Sequence, residues 1–227
     1  MPSTRREFLN QVGSTAAALS ALPLALQTLG AMDAPRTAAA PPGDYDLTWP
    51  AKLNTTHRAL FDLASIDSGH SVWRATLWES QYIEFLGAKQ EELSSVMVIR
   101  AEAIPLAMQQ KFWDTYHIGK SMNVLHPLTQ QPTDRNPALL SSTRNEVPAA
   151  LDSLALDQYI ARGGIVLACN QAFSEIVAVI VKGEKVSPEE ARSRALALLV
   201  PGVKMQPSGV FAVIRAQEAG AHYIKGS

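Results

Sequence analysis

Cysteine is almost missing from this chain of 227 residues: Cys169 is the only one, so no disulfide can form within a single copy and stability must come from a buried core. Charge of a prevailing sign is missing too, since 20 Lys and Arg against 21 Asp and Glu leave a net charge of -1. Binding to nucleic acid through counterion release needs a concentrated basic surface, and this balance gives no reason to expect one. The sequence has no Gly-x-Gly-x-x-Gly, no phosphate loop, no Gly-x-Ser-x-Gly and no His-Glu-x-x-His, which removes the common nucleotide, hydrolase and zinc-protease signatures. None of His57, His70, His117, His126 and His222 stands at ligand spacing with another, so neither a metal nor a cofactor is expected.

The amino terminus carries a pattern of its own. Ser3-Thr4-Arg5-Arg6-Glu7-Phe8-Leu9 sets two adjacent arginines before an apolar pair, and a weakly hydrophobic stretch from Val12 to Leu29 follows. Gly, Ser, Thr and Pro23 interrupt that stretch, making it less apolar than a spanning helix, and the positive charge comes first. The segment resembles a twin-arginine (Tat) export signal, with Arg5 and Arg6 as its recognition pair. Residues 1–40 are therefore expected to hold the signal and the start of a linker, with the Tat translocase as partner during export and a periplasmic or otherwise exported destination. Cleavage is open between the small residues near Gly30 and Ala31 and those at Ala38 to Ala40, where Pro41 disfavours a cut directly after Ala40. No other segment is apolar enough to span a bilayer.

From Ala31 to about Pro50 the Ala, Pro, Gly and Asp composition reads as a flexible linker, with Trp49 at most an anchor for it. Residues 41–227 read as one domain, because 47% hydrophobic residues can bury one sizeable core. A short strand is predicted around Arg58 to Leu63. A helix starting at Asp67-Ser68-Gly69 follows, with Val72, Ala75, Trp78, Tyr82 and Phe85 as its stripe and Gly87 as its stop. Val96-Met97-Val98-Ile99 has the unbroken apolar character of a strand covered on both faces. Pro105 suits the first turn of a helix striped by Met108, Phe112 and Tyr116; Trp73, Trp78 and Trp113 fall on helices as core or interface residues. From about 119 to 152 the periodicity fails among scattered prolines, and such a loop is either a lid or an oligomer contact.

Ile165 to Cys169 completes the clearest strand, with Asn170 as a good N-cap for a helix carrying Phe173, Ile176, Val177 and Ile180. Ser187-Pro188-Glu189-Glu190 reads as a capping box opening a helix through Leu199, and Pro201-Gly202 closes it. Val203 to Met205 is a short strand. Ser208 caps a last helix with Val210, Val213, Ile214 and Gln217 as its stripe, Gly220 stops it, and His222 to Lys225 is a terminal strand. Alternation of apolar strands with helices implies an α/β fold: a three-layer αβα sandwich around a mostly parallel sheet.

In such sheets ligands bind beyond the carboxyl ends of the strands, and Cys169 occupies that address. The free N–H groups and the dipole of the following helix would favour a thiolate there. A second candidate is Pro207-Ser208-Gly209-Val210, where Gly209 lets the backbone approach a small ligand. Periodicity alone leaves Cys169 open between a reactive thiol and a small buried core residue.

Four motifs in order, Gly163-Gly164-Ile165-Val166-Leu167-Ala168-Cys169-Asn170, Leu199-Val200-Pro201-Gly202-Val203, Pro207-Ser208-Gly209-Val210 and Arg215-Ala216-Gln217-Glu218-Ala219-Gly220-Ala221-His222-Tyr223-Ile224, resemble the C-terminal half of DsrE-like proteins. The likeness covers about Tyr159 to Lys225; the N-terminal half is similar only in the order of strands and helices. It implies a homo-oligomer, with Cys169 as carrier of a persulfide; the strand-to-helix positions make Asn170, Ser208 and Gly209 the candidate ligand-binding residues. Sulfur-relay members act in the cytoplasm, whereas this chain carries an export pattern, and the 119–152 segment is longer than a minimal member needs. The expected function is persulfide relay or thiol chemistry through Cys169; the alternative is a noncatalytic subunit that binds a small ligand or assembles with its own kind.

Overall fold

The computed structural model of the chain describes residues 45–227. The expected twin-arginine signal with Arg5 and Arg6, its expected cleavage region and the first part of the linker lie outside the described residues. Within them, five strands form one parallel sheet: β1 (His57–Leu63), β2 (Leu93–Ile99), β3 (Ile165–Cys169), β4 (Lys204–Gln206) and β5 (His222–Lys225), in the order β4-β3-β2-β1-β5. The helices are α1 (His70–Leu86), α2 (Gln110–Tyr116), α3 (Ile118–Ser121), α4 (Leu156–Ala161), α5 (Asn170–Glu184), α6 (Pro188–Ala197) and α7 (Gly209–Glu218). Helices cover both faces of the sheet, which makes the three-layer αβα sandwich.

Strand order dictates which helix covers which face. From β1 through β4 the chain steps in one direction, so right-handed crossovers put α1 to α6 on the same side. The step from β4 to β5 returns to the far edge, and the same handedness sends α7 to the opposite side, where it lies across β1 to β4. Side-chain alternation matches. Phe61, Leu63, Met97, Ile99, Val166 and Ala168 face the larger core with Trp113, Phe173 and Ile176, while Leu60, Val96, Val98, Ile165 and Leu167 face Ala212 and Ala216 of α7.

Several helix boundaries differ from the sequence reading, each for a local reason. The apolar stripe of α1 fails at its end: Phe85 is 73% exposed because the helix outruns the sheet before Gly87 caps it with a positive φ. Pro105 does not open an α-helix; it lies inside a 3-10 segment, Ala101–Ala107, and α2 begins only after Met108 has bridged to Leu199. On α7 the buried stripe is Ala212 and Ala216, whereas Val210 and Ile214 are exposed, because a helix packed closely on a sheet turns its smallest residues inward. Trp49 is no mere linker anchor. It is wholly buried in a 3-10 turn, Trp49–Lys52, so the fold begins ahead of Pro50.

The irregular segment from 119 to 152 is packed rather than loose. Asn136, fully buried, donates through Nδ2 to the carbonyls of Leu106 and Met108 at 3.2 and 2.7 Å and accepts from the Ala138 amide at 2.9 Å. Val124 and Ala138 join the larger core. These ties argue against a hinged lid.

Candidate functional site

Adjacent strands β3 and β4 send their following helices, α5 and α7, to opposite faces of the sheet. A crevice must open where two such strands end, and this is where parallel α/β sheets hold ligands. Here it is a cleft of about 300 Å³ lined by Arg100, Ala101, Cys169, Gln171, Ala172, Glu175, Gly209 and Val210. Two larger hollows, of about 410 and 390 Å³, lie along the 119–152 segment and contain no thiol.

Cys169 ends β3 and has the strand parity of Ile165 and Leu167, yet it touches the larger core because the chain is already turning into α5. It is 6% exposed, with its Sγ 3.4 Å from the amide N of Ala172. Cys169 itself is therefore the N-cap of α5, the role that the sequence pattern assigns to Asn170. The Sγ thereby accepts one of the amides that the first turn of a helix leaves without an intrahelical partner. Asn170 instead occupies the first helical position, and its Oδ1 accepts from Arg192 at 2.7 Å. It is not among the cleft residues.

Ser208 caps α7, its Oγ accepting from the Phe211 amide at 3.1 Å, and it is not among the residues that line the cleft. Gly209 does line the cleft, and its missing side chain has a definite use. A Cβ placed there would stand 2.6 Å from Cδ and 2.7 Å from Cβ of Arg100, so only glycine lets the arginine stem pass.

Arg100, which no motif in the sequence singles out, follows β2 directly and ends in the cleft beside Cys169. Its Nε and Nη2 donate to the two carboxylate oxygens of Asp62 at 2.7 and 2.9 Å, and Tyr223 donates its hydroxyl to the same carboxylate at 2.9 Å. Asp62 is only 4% exposed. The bond to this carboxylate raises the Arg100 guanidinium further above its ordinary range, and the same carboxylate raises the Tyr223 phenol. Ala101, next in the chain, has φ 47, a left-handed conformation costly for a residue with a Cβ.

Two signals in the sequence point to this neglected half of the site. Arg100 follows an unbroken apolar strand, as Cys169 nearly does, and Asp62 is an isolated charge inside Leu60-Phe61-Asp62-Leu63. A carboxylate in a strand buried on both faces demands a partner.

Neither a protein-family model nor a curated protein matches the chain. Among the described residues no three His, Cys, Asp or Glu side chains gather as a metal site, and no helix is long and apolar enough to cross a membrane.

Proposed function

We propose that this is an exported, DsrE-like sulfur-transfer protein in which Cys169 carries sulfane sulfur. The observation that supports the reading best is the position of Cys169: a thiol at the tip of a central strand, capping a helix and lining the cleft between α5 and α7. A persulfide donor, R–S–SH, would meet the Cys169 thiolate there. The sulfur–sulfur bond to the carrier forms as the bond within the donor breaks, and the donor leaves as R–S⁻. There is no net oxidation, and no cofactor is needed.

Intact-mass analysis of protein isolated from its own compartment tests this. The native chain is expected to carry the mass of one added sulfur atom, removable by a thiol reductant, and Cys169→Ser should fold and never carry it. Native protein that takes no sulfur from a low-molecular-weight persulfide would refute the proposal.

A noncatalytic assembly subunit is the second reading, favoured by the outward face of α7. Val210 and Ile214, one turn apart, are 68% and 50% exposed, and Val210 also borders the cleft. In this reading a second copy covers that face. Val210→Glu with Ile214→Glu should then turn an oligomer into a monomer in sedimentation, whereas a wild-type monomer would dismiss assembly.

A further inference from the structure

Arg100 is held at three points. Asp62 takes Nε and Nη2, Gly209 leaves room for the stem, and the left-handed turn at Ala101 carries the backbone onward from the arginine. Two of its three guanidinium nitrogens are thus committed, while Nη1 has no hydrogen-bond acceptor among the described residues. From a distance the Arg100–Asp62 pair is neutral, so it exerts little long-range pull; at close range it presents an oriented N–H donor. Glu175, an exposed carboxylate on the same cleft, disfavours a ligand of high negative charge.

We propose that Arg100 is the specificity-determining residue of this cleft, selecting reaction partners that carry a single carboxylate-like group close to the atom attacked by Cys169. The inference rests on the reading of Cys169 as a reactive thiol. It adds that a small anionic donor is preferred to a neutral one of the same size, because its anionic group is seated against the arginine while the sulfur attacks.

Alkylation rates test this cleanly, because Cys169 is the only thiol in the chain. Iodoacetate and iodoacetamide both alkylate by displacement of iodide from carbon by the thiolate, and they differ chiefly in the charge of the adjoining group. The ratio of their rates is expected to be about tenfold higher for native protein than for the same protein in urea, the effect of one charge-assisted hydrogen bond. Arg100→Met should bring the native ratio to within about twofold of the unfolded value, with Arg100→Lys between the two. Should Arg100→Met unfold by leaving Asp62 unpaired, the double variant Asp62→Asn with Arg100→Met removes the cation without a stranded carboxylate and should show the same fall.

Equal ratios in native and unfolded protein, an elevated ratio that survives loss of Arg100, or a native thiol inert to both reagents would each overturn the inference. A protein that discriminates between the reagents but never carries sulfane sulfur retains the role of Arg100 and loses sulfur transfer. One that carries sulfur without discriminating retains transfer and loses the role of Arg100.

Discussion

Trp49 donates its indole N–H to the side-chain oxygen of Gln206 at 3.0 Å, joining the first described turn to the end of β4 with both residues fully buried. The Gln206 amide continues the link by donating to the Asp46 carbonyl at 3.0 Å. A segment ahead of β1 is thereby built into the α7 side of the sandwich. Trp49→Ala should cost about 3–5 kcal/mol through lost burial and an orphaned Gln206, measured by urea unfolding. A cost below about 1 kcal/mol would mean that the turn is dispensable.

The Arg100–Asp62 pair should respond unequally to loss of each partner. Removing the arginine leaves a carboxylate that is 4% exposed, whereas removing the acid leaves an arginine about a third exposed that can turn to water. Arg100→Met is therefore expected to destabilise by about 3 kcal/mol and Asp62→Asn by about 1 kcal/mol, both from denaturant midpoints. Equal costs would contradict the burial argument.

Gly164 faces the ring of Tyr159, where an added Cβ would stand 2.4 Å from the nearest ring carbon. The ring has no easy retreat, since it is fully buried and its hydroxyl is 2.7 Å from Ser95 Oγ. Gly164→Ala should destabilise by about 2–3 kcal/mol, read as a lowered melting temperature, despite the mildness of the change.

Acid should loosen the 119–152 segment. Burial pushes the Glu146 carboxyl up, but bonds from Arg144 and the Ser141 amide, with the charge of Arg135, outweigh it and hold the group below its ordinary value of 4.5. A carboxyl lowered on folding contributes stability above its unfolded value, and that stability is lost as pH falls through the folded one. Wild-type protein should therefore lose more stability than Glu146→Gln between neutral pH and about pH 3. Identical pH profiles would remove Glu146 from the account.

The proposed export makes a separate prediction. Replacing Arg5 and Arg6 together by lysine should strand the precursor in the cytoplasm, as fractionation and immunoblotting would reveal; unchanged export would exclude the twin-arginine route.

Strand identity is legible in the sequence because all-parallel sheets bury both faces, and Val96 to Ile99 and Ile165 to Leu167 advertise this as unbroken apolar runs. Caps at Ser187 and Ser208 are readable for a similarly local reason: a short side-chain oxygen placed before a helix has one obvious use. The inward face of α7 is not legible, since alanines carry little weight in an apolar stripe although they permit the closest packing. On the site, strand-to-helix context is enough to reveal Cys169 and Gly209. Arg100 and Asp62 each carry a local signal, but their pairing joins β1 to the residue after β2, 38 positions apart, and no local pattern encodes that pairing.

Cys169 does two jobs with one atom. The sulfur that lines the cleft also closes the opening turn of a fifteen-residue helix, so a chemical change at that atom is felt by the backbone of α5. Occupancy of the thiol should accordingly be written into the amide exchange of residues 170 to 173, making the helix start a built-in reporter of whatever the sulfur carries.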